Sequence, residues 1–146
     1  MNLILFGFKG AGKTHLGKQL STELNRPFID TDQLLELQHK CTVRELYRKL
    51  GELQFRKAES QIILSLKDDF SVIALGGGAV LLPENVVHLQ RIGRLIFVDT
   101  PFAIIQARIM QSGPPAFLGT VHTLKEIYDE RKRIYESIPA ERMHGF

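Results

Sequence analysis

The sequence predicts an α/β fold, a parallel β-sheet with helices on both faces. Two observations carry this. The first is the opening: Asn2-Leu3-Ile4-Leu5-Phe6 is an apolar run of strand length, a glycine-rich stretch follows at once, and Leu16, Leu20 and Leu24 then recur at helical spacing. The second is alternation: further short apolar runs lie near 27–29, 71–75 and 94–98, making four strands, with helical periodicity between them. Strands that alternate with helices build a parallel sheet covered on both faces.

The stretch after the first strand, Gly7-Phe8-Lys9-Gly10-Ala11-Gly12-Lys13-Thr14, fits G-x-x-x-x-G-K-[ST] between a strand and a helix. That context separates a phosphate-binding loop from a chance match. Glycines let the backbone curl so that N–H groups converge on phosphate oxygens. The helix N-terminus adds its positive dipole end. Lys13 supplies a point charge and the Thr14 hydroxyl suits Mg²⁺. Lys13 reads as a ligand-facing group with little part in core packing.

Composition narrows the class. At 146 residues, 44% hydrophobic and 24% charged, the chain has the size and make-up of one globular domain. A net charge of +3 suits small anions and shows no basic run interleaved with aromatics, so nucleic-acid binding is not expected. No apolar run is long enough for a membrane span, and the first strand is too short for a signal peptide. Cys41 is the single cysteine, which fits a reducing cytoplasm and reads as a bystander. His15, His39, His88, His122 and His144 lack zinc-ligand spacing. There is no internal repeat or linker.

Along the chain, Phe28-Ile29 reads as a buried strand ending in Asp30-Thr31-Asp32. In extended chain the two carboxylates point the same way, at the strand end where α/β sheets bind ligands. One could serve Mg²⁺ through water and the other a hydroxyl; Asp32 is also a good helix N-cap. Val43, Leu46, Tyr47 and Leu50 mark one helix, Gly51 breaks it, and Phe55, Ala58, Ile62 and Leu66 mark the next. Arg56 and Glu59 share a face there, and their spacing alone favours a surface ion pair over an arginine aimed at a substrate. The strand at 71–75 ends in Gly76-Gly77-Gly78, which permits close backbone approach to a ligand. A helix over about 83–91, the strand at 94–98 and a helix over about 103–110 follow, before Ser112-Gly113-Pro114-Pro115. In the last helix, from about Thr123 to Ser137, Leu124, Ile127, Arg131 and Tyr135 form the inward stripe, so Arg131 needs an anionic partner. No further strand is expected after Pro139.

Together these stretches resemble the shikimate kinases of the P-loop nucleoside monophosphate kinase-like superfamily, over nearly the whole chain. The glycine loop alone supports only a P-loop nucleotide binder. The specific set is Asp30-Thr31-Asp32, Phe55-Arg56 with Glu59, Gly76-Gly77-Gly78, and Arg131 four residues before Tyr135. The resemblance implies ATP-dependent phosphorylation of the shikimate 3-hydroxyl, in the chorismate pathway to aromatic amino acids. It implies ATP binding by Gly10, Ala11, Gly12, Lys13, Thr14 and His15, with Arg108 stacking on adenine. Thr14 and Asp30 would serve Mg²⁺. Lys13 and Asp32 would be catalytic, and Asp32, Arg56, Gly77, Gly78 and Arg131 would hold shikimate, the two arginines clamping its carboxylate. It also implies one P-loop kinase domain over 1–146, with an acceptor region at about 31–62 and a lid at about 111–120, working as a cytoplasmic monomer on ATP and shikimate.

The chain departs from the family pattern at two places. Pro114 stands where the family lid carries an arginine, and the chain stops at Phe146, without the family's final strand and helix. Two alternatives remain open at this point. One is a catalytically weak nucleotide- or shikimate-binding protein; the other is a related small-molecule kinase, such as one for gluconate.

Overall fold

The computed structural model describes residues 1–113 and 123–144. The lid position Pro114 and most of the expected lid lie outside the described residues. The elements run β1 (Asn2–Phe6), α1 (Lys13–Leu24), β2 (Phe28–Asp30), α2 (Thr31–His39), α3 (Val43–Ser65), β3 (Val72–Ala74), α4 (Pro83–Ile92), β4 (Gly93–Asp99), α5 (Phe102–Ser112), α6 (Leu124–Ser137) and β5 (Glu141–His144). The sheet is five-stranded, in the order β2-β3-β1-β4-β5, and every neighbouring pair is parallel. After β1 the chain goes to one side for β2 and β3, then to the other for β4 and β5. The crevice beyond the carboxyl end of β1 is therefore a topological switch point, where such sheets bind ligands.

The expectation of no strand after Pro139 is wrong. β5 pairs with β4 from Ile96↔Glu141 to Asp99↔His144. Its residues are mostly exposed, so no apolar run marks it. Charge and one apolar contact hold this edge instead. Arg94 pairs with Glu141, Arg142 bridges Asp99 at 3.3 Å and Glu136 at 2.9 Å, and Met143 packs on the core.

The central strands are apolar on both faces because helices cover both. Ile4, Leu5, Val72 and Ile73 are fully buried, and Phe6, Phe97 and Tyr135 form a cluster with centroids 5.5–5.9 Å apart, Phe6 stacked on Phe97 and Tyr135 angled against both. Leu16 and Leu20 of α1 pack on this core, but Leu24 is exposed. A Cβ on Gly17 would come within 2.5 Å of the Phe28 ring, so glycine lets α1 lie close against β2. The buried Asn2 side chain accepts from Ser71 N at 2.8 Å and donates to Lys67 O at 2.8 Å, fixing where β1 starts beside β3. A second, smaller core of Leu35, Leu46, Phe55, Ala58 and Ile62 joins α2 to α3. The span labelled α3 is two helices joined across a kink at Gly51, whose φ of 78° and ψ of 170° are not helical, so the expected break is present. No described helix is long and apolar enough to cross a membrane.

Candidate active site

β1 feeds directly into the phosphate loop, and side chains behind the loop hold its carbonyls. Lys13 Nζ donates to Gly7 O at 2.6 Å and Phe8 O at 2.9 Å. The Thr100 hydroxyl donates to Ala11 O at 2.7 Å, and Arg108 Nη1 donates to Gly10 O at 2.8 Å. Gly10 and Gly12 take positive φ of 85° and 99°, the left-handed backbone that glycine supplies cheaply. Lys13 is only 8% exposed, which corrects the expectation that it has little part in packing. Burial pulls its pKa down to about 8, while Asp32 and then Asp30 oppose the fall.

The two aspartates divide their work differently from the expected pattern. Asp30 ends β2 and is itself the N-cap of α2, its carboxylate accepting from Asp32 N at 3.0 Å and Gln33 N at 3.4 Å. Asp32 sits inside the first turn, so the cap role does not fall to it. The Thr14 hydroxyl donates to Asp30 Oδ2 at 3.2 Å, which brings together the two oxygen groups expected at Mg²⁺. Asp32 is half-buried beside Gly76, where a Cβ would lie 2.5 Å from Asp32 Oδ1. Burial, and then the Asp30 charge, push the Asp32 pKa upward against the pull of Lys13.

Arg56 and Glu59 are not a surface pair. Their side chains are 10% and 2% exposed, and Arg56 Nη1 donates to Glu59 Oε1 at 2.9 Å. Arg56 Nε also pairs with Glu52 at 3.1 Å, so two of its three nitrogens are gripped by carboxylates. Burial works against the Arg56 charge, but Glu59 and Glu52 outweigh it and raise its pKa. Burial raises Glu59, with Arg56 opposing. A Cβ on Gly78 would overlap the Arg56 guanidinium, so glycine leaves the room that Arg56 occupies in its pairing with Glu52 and Glu59. Arg131 is 7% exposed on α6 as the stripe demands, with its guanidinium 5.9 Å from the Phe8 ring centroid and Nη1 3.8 Å from where a Cβ on Gly77 would stand. Burial lowers the Arg131 pKa, and the nearby Arg56 charge acts in the same direction. One helical turn on, the Tyr135 hydroxyl donates to Gly77 O at 2.5 Å and ties α6 to the glycine turn. Burial raises the Tyr135 pKa well above its ordinary value, so this hydroxyl stays protonated.

The phosphate loop, the two aspartates, the Arg56–Glu59 pair, the glycine turn and Arg131 open on a cavity of about 940 Å³. It brings together the expected Gly10, Gly12, Lys13, Thr14, His15 and Arg108 with Asp30 and Asp32, and reaches Arg56, Gly77, Gly78 and Arg131. Ala11 is 1% exposed and contributes its backbone to the loop without lining the cavity. Sequence reading missed Glu36, Arg44, Tyr47 and His144, which line the cavity together with Lys9 of the phosphate loop. Tyr47 was assigned only to an apolar helix face, and His144 lies on the strand that was not expected.

A phosphate loop at the switch point of a parallel sheet, facing buried arginines and a carboxylate across one cavity, defines an ATP-dependent phosphotransferase of the P-loop kinase fold. The shikimate kinase family profile matches residues 9–144. The chain is 36% identical over 140 residues to the shikimate kinase of Caldanaerobacter subterraneus subsp. tengcongensis, covering 92% of this chain and 81% of that one. It is 43% identical over 100 residues to the enzyme of Symbiobacterium thermophilum, covering 68% and 58%. Among solved structures, shikimate kinase from Acinetobacter baumannii in complex with shikimate superposes with a TM-score of 0.87 at 26% identity, over 98% of this chain and 82% of that one. The Aquifex aeolicus shikimate kinase gives 0.80 at 29%, over 99% and 86%. A sugar kinase from Janibacter sp. shares the fold, with a TM-score of 0.63 at 13% identity, 98% of this chain and 83% of that one being covered. The chain belongs to the shikimate kinase family.

Proposed function

We propose that this chain transfers the γ-phosphoryl group of ATP to the 3-hydroxyl of shikimate. The observation that carries the reading is that Arg56 and Arg131, both buried, line the same cavity as the phosphate loop and Asp32. Shikimate carries one carboxylate and several hydroxyls. Two guanidinium groups suit the carboxylate because their planar fork matches its oxygens. Buried arginines side by side repel each other, and an anionic ligand relieves that repulsion.

In this reading Lys13 holds the β- and γ-phosphate charge while the loop backbone fixes the nucleotide. Arg108, already bonded to Gly10 O, lies on the nucleotide side and is the candidate for stacking on adenine; His15 lies at the same side. Asp32 orients the acceptor hydroxyl and takes its proton. A pKa raised by burial makes it a better proton acceptor than an exposed aspartate. Gly77 and Gly78 leave room for acceptor beside the backbone. Thr14 and Asp30 fit Mg²⁺, which prefers oxygen ligands and commonly takes one or two protein groups plus phosphates. Among the described residues there is no cluster of three or more His, Cys, Asp or Glu that could hold a metal. When bound, the ion supplies neutralisation of phosphate charge. The region at about 31–62 would be the acceptor part of a single domain, acting as a monomer in the cytoplasm.

A coupled ADP-release assay with shikimate, with gluconate and with no acceptor tests the reading. Turnover dependent on shikimate is expected. Equal efficiency with gluconate would assign a different acceptor, and shikimate binding without turnover would leave a binding protein.

A further inference from the structure

Two cations in the cavity have no role in the reaction as described so far. Lys9 belongs to the phosphate loop but reaches the acceptor side. A Cβ built on Gly77 would lie 3.3 Å from Lys9 N and 3.8 Å from Lys9 Cβ, so Lys9 marks the seam between the loop and the glycine turn. Arg44 comes from the first turn of α3. Its Nη2 and Nη1 lie 3.7 and 3.9 Å from where a Cβ on Gly113 would stand, so the side chain reaches across to the C-terminal end of α5. Both side chains line the cavity. Their charges interact: after burial, Arg44 is the chief influence lowering the Lys9 pKa, and Asp32 is the group opposing it. Arg56 is matched by Glu52 and Glu59, and Arg142 by Asp99 and Glu136. Among the described residues neither Lys9 nor Arg44 has such an ion pair. Like charges held together in a concave site are unfavourable when it is empty and favourable once an anion enters.

We infer that Lys9 and Arg44 flank the γ-phosphoryl group as it passes from nucleotide to acceptor, adding two positive charges on the face opposite Lys13. The inference rests on the cavity being the site of an ATP-dependent kinase. In the step itself the bond from the γ-phosphorus to the β–γ bridging oxygen breaks and ADP leaves. The acceptor oxygen bonds to phosphorus, and its proton goes to Asp32. Negative charge spreads over the three equatorial oxygens of the phosphoryl group, and preorganised cations are most effective there. Arg44 presents a planar fork to those oxygens and Lys9 a point charge.

The test compares wild type with Lys9→Ala, Arg44→Ala, the double variant and Arg44→Lys. Arg48→Ala is the control, since Arg48 is exposed one turn further along α3. Calorimetry without acceptor measures affinity for ADP and for a non-hydrolysable ATP analogue; steady-state kinetics then give kcat and the shikimate KM. The double variant should lose about tenfold in analogue affinity while ADP affinity holds, and kcat should fall about 10²-fold. Shikimate KM should stay within a few-fold, Arg44→Lys should recover part of kcat, and Arg48→Ala should match wild type. Parallel weakening of ADP and analogue, or a double-variant kcat within twofold of wild type, overturns the inference. The nucleotide comparison is made without acceptor, so it stands whichever acceptor the enzyme proves to use.

Discussion

The two ends of the cavity are built on different principles. The phosphate loop is rooted in the main core, and four side-chain restraints on it end on backbone carbonyls: Gly7 and Phe8 from Lys13, Ala11 from Thr100, Gly10 from Arg108. The acceptor end leans on the small separate core between α2 and α3, and its key side chain is gripped by other side chains, Arg56 by Glu52 and Glu59. One end is specified by backbone shape plus a lysine and a threonine. The other is specified by charge balance in a buried setting. Substitutions should therefore act on chemistry at the first end, and on acceptor affinity and stability together at the second.

The largest expected effect is at Lys13. Lys13→Ala should lower turnover by roughly 10³-fold or more, since it removes the charge on the transferring phosphate in a water-poor site. It also removes two buried hydrogen bonds, so a modest fall in Tm should accompany the loss. A folded Lys13→Ala protein with wild-type ATP affinity and turnover would break the comparison at its stronger end.

At the acceptor end, Arg56→Ala and Arg131→Ala should each raise the shikimate KM by about 30-fold or more and leave ATP affinity nearly unchanged. The two should part in stability. Arg56→Ala strands Glu59 in a buried place, and breaking such a pair costs about 3–5 kcal/mol. The cost is softened because the carboxyl, already shifted upward by burial, can take a proton. Adding Glu59→Gln should recover Tm without recovering KM. Arg133→Ala, on an exposed position of α6, should change neither. Matching KM effects at Arg131 and Arg133 would remove the basis for a carboxylate clamp.

A smaller effect should appear in pH dependence. Lys13 in the free protein titrates at about 8 because it is buried. Phosphates beside it favour the charged form and raise that value, so the complex holds more protons than the free protein above pH 8. Binding then takes up a proton, and ATP affinity falls as pH rises through 8, by up to about tenfold per unit. Calorimetry at pH 8 in buffers of different ionisation heat should show uptake of about half a proton from this group. An affinity that is flat from pH 7 to 9.5 would mean that the lysine charge is not set by the phosphates.

What could be read from sequence follows the same division. The loop was legible because local pattern determines it: strand, glycines and helix are contiguous from Asn2 to Leu20. Arg131 was legible as inward-facing because helical spacing fixes a face, and it is 7% exposed. The burial of Arg56 and Glu59 was not, since i, i+3 spacing is the same on a wet face and a dry one; only the packing of α3 against the glycine turn makes it dry. The capping role passed from Asp32 to Asp30 because β2 runs one residue further than its apolar letters, through Asp30. β5 was hidden because its partners are charges such as Asp99 and Glu136 rather than an apolar stripe. Arg44 reached the site only through the bend of the chain between α2 and α3, which no local spacing reports.

The central claim is that the arginine pair at the acceptor end recognises a carboxylate while the phosphate end is indifferent to it. The most direct measurement is kcat/KM for shikimate against its methyl ester, in wild type and in Arg131→Ala. In wild type the ester should be poorer by about a hundredfold, the worth of a charge partner in a desolvated pair. In Arg131→Ala the two acceptors should differ far less, with ATP affinity the same throughout. Equal turnover of acid and ester by the wild-type enzyme would contradict the account.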